Sequence, residues 1–141
     1  VAGLFSRRGF NIDSIAVGRT EDPDISRMTI VVEADQATGE QLSKQLNKLV
    51  DTIKVSDVTD DATVARELSM IKVSADSSNR SEILQIVSIF RAKIIDVSER
   101  AVIIEVTGDE SKVTALIELL RPYGIKELVR TGKVVMVRSG N

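Results

Sequence analysis

Apolar positions recur along the chain with two different periods, and the switches between them predict the elements. Residues 12–19 (IDSIAVGR) form an expected strand with Ile15 and Val17 facing inward. Residues 27–34 alternate, with Met28, Ile30, Val32 and Ala34 on one face and Thr29, Val31 and Glu33 on the other, the pattern of a half-buried strand. TEDPD at 20–24 carries turn chemistry between them. Asp35 is placed to cap a helix running to about residue 50, with Leu42, Leu46, Leu49 and Val50 as its buried stripe and Lys44 and Lys48 on its wet side. Residues 53–58 (IKVSDV) predict a further strand, and the polar run at 59–67 predicts a linker. At the start, VAGLFSRRG has the marks of a helix end: apolar Leu4 and Phe5, Arg7 and Arg8 suited to the negative terminus, and Gly9 as a left-handed stop.

The pattern then begins again. A strand is expected at 68–75, followed by a helix opening near Asn79 and Glu82, which are spaced as a capping box. Ile83, Ile86, Val87 and Phe90 form the apolar stripe of that helix. Strands at 94–98 and 101–107, a helix at 109–120 entered through Thr107-x-x-Glu110, and strands at 125–130 and 133–138 complete the chain. The halves align on each other: Ile30-Val31-Val32-Glu33 meets Val102-Ile103-Ile104-Glu105 at a spacing of 72 residues, and Asp35 with Thr107 and Ile53 with Ile125 keep that spacing. Leu4-Phe5 likewise meets Ile89-Phe90, so matches in the same order imply duplication. The second copy reads βαββαβ, whereas the first opens inside its first helix. Phe90 lies 22 residues after Leu68, and the same interval counted back from Phe5 places an opening strand about 18 residues before Val1.

The expected fold class is therefore α+β, two ferredoxin-like βαββαβ domains in tandem over residues 1–62 and 63–141, the first lacking its opening strand. Each sheet would carry helices on one face only. The second faces are partly apolar, with Val31 between Thr29 and Glu33 and Ile103 before Glu105, so pairing of sheets in a homodimer or higher homo-oligomer is expected.

Composition then narrows the chemistry. The 141 residues include no His, no Cys and no Trp, which removes Ser-His and Cys-His nucleophile pairs and the usual zinc, haem and iron–sulfur ligands. A net charge of −2 and 3% aromatic residues argue against nucleic acid and anionic membranes as partners. The RNA-recognition variant of this topology needs aromatics on its central strands, but Phe5 and Phe90 fall on helices and Phe10 in a turn. Gly132-Lys133 reads as a turn rather than a phosphate loop, and Asp57, Asp60 and Asp61 as a solvated run rather than a cation site. Asn79-Arg80-Ser81 matches a glycosylation sequon but reads better as a helix cap. No stretch is apolar enough to span a membrane.

One constellation carries binding chemistry. In Arg7-Arg8-Gly9-Phe10-Asn11-Ile12, the glycine permits a tight reversal from a helix end into the first strand. Asn11 then stands where the strand begins, with an amide donor and a carbonyl acceptor that suit the carboxylate and ammonium of a small amino acid. Turn stabilisation alone is the competing explanation of Asn11.

GLFSRRGFNIDSI with SRMTIVV, and in the second half IFRAKIIDVS, VIIEVTGDESKV and LIELLRPYGIKELVRTGKV, resemble the small regulatory subunits of acetolactate synthase (acetohydroxyacid synthase) over essentially the whole chain. The resemblance implies an N-terminal ACT domain, a second ACT-like domain, and a branched-chain amino acid, valine above all, bound between paired ACT domains. It implies effector contacts at Asn11 and Ile12, with Phe10 and Gly9 shaping the turn, while the other half of the family's pocket, an Asn/Glu-x-x-Gly loop that follows the first strand of the ACT domain, is expected to lie outside this chain. It further implies no catalysis and no cofactor on this chain. The partner would be a catalytic large subunit carrying thiamine diphosphate, Mg²⁺ and FAD, which the small subunit activates and makes sensitive to end product. The hairpin at 19–30, with Arg19 and Arg27 flanking TEDPD, is a candidate for part of that contact. A cytoplasmic location follows in a bacterium and a plastid location in a plant. A stand-alone ACT-type amino-acid sensor is the alternative function.

Overall fold

The computed structural model describes residues 11–33, 35–49 and 54–138. The chain divides into two compact units, one of Val1–Val64 with Val135–Asn141 and one of Ala65–Val134.

In the Ala65–Val134 unit, β3 (Thr63–Ser74) alternates so that Ser69, Ile71 and Val73 are sealed from solvent while Met70 and Lys72 point the other way. The helix α2 (Arg80–Ile89), the strands β4 (Lys93–Val97) and β5 (Ala101–Gly108), the helix α3 (Glu110–Leu120), a 3₁₀ turn at Arg121–Tyr123 and β6 (Ile125–Arg130) follow. All the pairings are antiparallel, in the order β4-β5-β3-β6. This is the ferredoxin-like order, in which the first strand of the βαββαβ unit lies inside the sheet between its third and fourth. Ile71 sits between Ile104 of β5 and Leu128 of β6. Its neighbours in the core are Ile83 and Val87 of α2, Val102 and Val106 of β5, and Val113, Leu116, Ile117 and Leu120 of α3. The two helices therefore bury their apolar stripes against one face of the sheet.

Polar groups inside this layer are matched. Ser69 Oγ donates to the Val129 carbonyl at 2.9 Å. Arg130 donates to the buried carboxylate of Glu67 and reaches Thr114 Oγ1 at 3.2 Å. Gly124, at φ 100°, turns the 3₁₀ segment into β6, and its carbonyl accepts from the Ser74 N–H at 2.8 Å.

In the other unit, β1 (Asn11–Arg19) and β2 (Ser26–Glu33) form an antiparallel hairpin, and α1 (Gln36–Asn47) follows. Leu42 is the buried anchor of α1, and Leu46 beside it is half-buried. The helix expected over the opening residues, Ala34 and Val50 lie outside the described residues. The strand β7 (Val134–Val137) pairs with β3, and the Arg138 N–H donates to the Ala62 carbonyl at 2.8 Å.

Five expectations need correction. Ile15 and Val17 do not face inward: they are 37% and 64% exposed, on the same face as Met28 and Ile30, and exposure rises toward the turn, where no described residue covers the face. Residues 54–58 join no described ladder. The last strand of a βαββαβ sheet takes its hydrogen bonds from the opening strand, and no described strand fills that role in this unit. The expected linker is partly strand, since β3 starts at Thr63 rather than Leu68. The partner that extends it, β7, lies some seventy residues away in sequence, so local polarity carries no trace of it. The capping box at Asn79 is not made: Asn79 Oδ1 accepts from the Asp76 N–H at 2.9 Å, and Glu82 receives the Tyr123 hydroxyl at 2.9 Å. Finally, α3 is capped by Asp109 rather than Thr107, because β5 continues through Gly108, opposite Glu67.

The sealed position of Leu116 makes a quantitative test. Leu116→Ala is expected to lower the unfolding free energy by about 3 kcal/mol, measured by urea denaturation, with Leu119→Ala on the exposed side of the same helix costing under about 1 kcal/mol.

Candidate functional site

The start of β1 is set by its pairing. Asn11 lies opposite Glu33, the last residue of β2, and Ile12 lies opposite Val32. The register shifts at Asp13, which has no partner of its own. A bulge of this kind bends and twists the strand locally. Ile12 is half-buried, and Asp13 and Glu33 are exposed. Of the four residues expected to contact an effector, Asn11 and Ile12 therefore occupy adjacent positions at one end of the ladder. Phe10 and Gly9 lie outside the described residues.

The same end of the hairpin leads into α1. Asp35 accepts the Thr38 N–H at 2.7 Å, and the Gly39 N–H reaches the Asp35 carbonyl at 2.9 Å. The hydrogen bond from the Thr38 backbone holds the Asp35 carboxyl below its ordinary value. The second half makes a cap of the same geometry, but at Asp109, 74 residues on, rather than at Thr107, where the 72-residue spacing puts it. Asp109 accepts the Lys112 N–H at 2.9 Å with backbone angles of −75° and 170°, against −76° and 175° at Asp35. It too is held low, chiefly by the Lys112 backbone bond.

Backbone groups at the end of a ladder can bind a carboxylate and a carboxylate side chain can bind an ammonium; Asp13 and Glu33 are the acidic residues near this end of the hairpin. Asp13 and Glu33 were not picked out by sequence reasoning. Glu33 reads as the wet side of an alternating strand, and the bulge that sets Asp13 apart leaves no mark in a run of IDSIAV.

At the far end of the hairpin the TEDPD turn is closed by its own polar groups. The Thr20 N–H donates to the Ile25 carbonyl at 3.2 Å, Thr20 Oγ1 donates to the same carbonyl at 2.9 Å, and Asp22 Oδ1 accepts the Asp24 N–H at 3.0 Å. Arg27, in the hairpin named as a candidate contact with a partner, donates to the Val135 carbonyl at 2.7 Å. Arg19 is exposed.

Other sequence candidates settle as structure. Asp57 Oδ1 accepts both the hydroxyl and the N–H of Thr59, at 2.5 and 3.0 Å, which holds its carboxyl low. Among the described residues, no three His, Cys, Asp or Glu come together in a way that could hold a metal ion. Gly132, at φ 80°, lies in the bend between β6 and β7. No described helix is long and apolar enough to cross a membrane.

Asp35 and Asp109, with Asp76 before α2, bear on acid stability. Asp76 is held low chiefly by the Ser78 hydroxyl. A carboxyl whose folded pKa is depressed contributes stability that is fully present above its unfolded value, here 3.8, and is lost as pH falls through the folded value. The urea midpoint is therefore expected to decline below about pH 4. Asp109→Asn, which keeps a capping oxygen without the charge, should make that decline shallower; an unchanged profile would count against the cap as its source.

Comparison with known proteins follows the same division. Residues 66–139 match a family model described as the small subunit of acetolactate synthase, and residues 1–54 match one described as the AHAS small subunit-like ACT domain. A probable acetolactate synthase small subunit of Archaeoglobus fulgidus is 62% identical, with 99% of this chain and 87% of that protein covered. The acetolactate synthase small subunit of Aquifex aeolicus is 54% identical over 99% of this chain and 73% of its own. The crystal structure of the acetolactate synthase small subunit from Thermotoga maritima superposes with a TM-score of 0.90 at 49% identity, covering 99% of this chain and 88% of that one. With both halves matched and relatives of this similarity, the chain belongs to the acetolactate synthase small subunits, the regulatory subunits of that enzyme complex.

Proposed function

We propose that the chain binds the catalytic large subunit of acetolactate synthase, raises its activity, and makes it sensitive to valine or a related branched-chain amino acid. The observation that carries the reading is the match of the hairpin unit to an ACT domain, with Asn11 and Ile12 at the start of β1. The effector lies against Asn11 and Ile12, its ammonium and carboxylate meeting the polar groups at that ladder end and its side chain meeting Ile12. Paired ACT domains of two copies enclose it, and Gly9 and Phe10 shape the turn that leads into β1.

Control of the large subunit then requires no chemistry on this chain. An amino acid held between two domains favours the pairing geometry it fits, and it shifts the catalytic equilibrium only by its difference in affinity for the two states. The chain itself carries no cofactor in this reading. Thiamine diphosphate, Mg²⁺ and FAD act on the large subunit, where pyruvate is joined to a second 2-oxo acid. The bacterial and archaeal relatives support a cytoplasmic setting.

Two measurements separate the parts of this proposal. Mixing the chain with its large subunit is expected to raise acetolactate formation, and no increase at saturating small subunit would overturn the regulatory role. Calorimetry is expected to show valine binding that Asn11→Ala weakens by about fivefold or more, the worth of one hydrogen bond. Equal affinity in the variant would remove Asn11 from the site while leaving the regulatory role standing.

A further inference from the structure

The two ends of the β1–β2 hairpin make different contacts. Asn11 and Ile12 stand at one end of its ladder, opposite Glu33 and Val32. Arg27 stands near the turn, opposite Gly18, which offers it no cross-strand side chain. The exposed guanidinium reaches out of the hairpin instead, and Nη2 donates to the Val135 carbonyl of β7 at 2.7 Å. Hydrogen bonds from a charged donor are among the stronger ones.

β7 is fastened to β3 on either side of that carbonyl. Just before β7, the Thr131 N–H donates to the Leu68 carbonyl and the Leu68 N–H to Thr131 Oγ1, each at 3.0 Å. Just after it, Arg138 donates from its N–H to the Ala62 carbonyl at 2.8 Å and from Nε to the Thr63 carbonyl at 3.3 Å. β3 in turn runs from one compact unit into the other. Thr63 and Val64 belong to the unit of the hairpin, and Ala65–Ser74 to the second, where Ser69, Ile71 and Val73 are sealed in the core. A hydrogen-bonded route therefore leads from the hairpin through Arg27 and β7 to the strand on which that core is built.

We propose that Arg27 is a positioning residue that couples the effector end of the hairpin to β3 without touching the effector. The inference rests on the reading that a branched-chain amino acid binds at Asn11 and Ile12. The ladder joins the two ends of the hairpin, so an effector that fixes the geometry at Asn11 also restricts the turn end, and Arg27 passes that restriction to β7. Removing such a residue changes what the effector does elsewhere and spares the contacts that hold it.

Hydrogen exchange of the whole chain, with and without valine, reads this coupling. In the unaltered chain, valine is expected to slow exchange at β1 and also at residues 63–68 of β3. In Arg27→Ala the slowing at 63–68 should fall by about fivefold, the worth of one hydrogen bond, while β1 keeps its protection. Calorimetric affinity for valine should stay within about twofold, which separates coupling from a part in the effector site and from loss of the fold. Protection confined to β1 in the unaltered chain, or equal slowing at 63–68 in the variant, would overturn the coupling and leave the effector site standing. So would an affinity that falls in step with the slowing. An unaltered chain that gives neither binding heat nor protection at β1 would overturn the effector reading, and the coupling with it.

Discussion

The structure of the Ala65–Val134 unit depends on one strand being buried on a single side. β3 is hydrogen-bonded on both flanks, to β5 and to β6, so its backbone is satisfied within the sheet. Its side chains divide by parity: Ser69, Ile71 and Val73 are sealed, and Met70 and Lys72 are not. Everything else in the unit follows from covering the sealed half. Helices α2 and α3 lie on that side because their stripes, Ile83 and Val87 and then Val113, Leu116, Ile117 and Leu120, need an apolar surface of that extent. A one-residue slip of β3 would exchange the two sets and put Lys72 into the core. The same constraint leaves Met70 and Lys72 on the second face, away from the helices.

Most of this was legible in the sequence, for a physical reason. The apolar stripes of α2 and α3 and the alternation in β2, β3 and β5 are local, and local periodicity fixes which side of an element is buried. What escaped depended on contacts between distant residues. The early start of β3 requires β7 as a partner, and residues 54–58, which join no ladder among the described residues, reflect the same rule in reverse: KVSDV has strand composition, but composition supplies no hydrogen-bond partner. The caps show the limit at the smallest scale. Thr107 and Asp109 are both good N-cap residues, and only the length of β5, which runs to Gly108 opposite Glu67, decides between them.

At the candidate site, legibility divides between residue types and geometry. Asn11 stands out because an asparagine after Gly-Phe at a strand start offers both a donor and an acceptor. Its position opposite Glu33 and beside an unpaired Asp13 comes from the bulge, which no residue in IDSIAV announces. The hairpin turn was legible as a turn, but Arg27 was not legible as a tether. Its hydrogen bond to the Val135 carbonyl joins residues more than a hundred positions apart.

Duplication joins these observations into a physical account of a subunit without chemistry. Asp35 and Asp109 repeat the same cap geometry, so the two halves share the rule by which a strand hands over to a helix. Both halves also belong to an architecture that covers one side of a sheet and leaves the other side and the strand ends to partners. A chain with no His and no Cys can still control a reaction if its interfaces have more than one geometry and a ligand prefers one of them. One-sided burial therefore links fold to role. The covered face stabilises the Ala65–Val134 unit, and a regulatory subunit that does no chemistry has its remaining surfaces to act through.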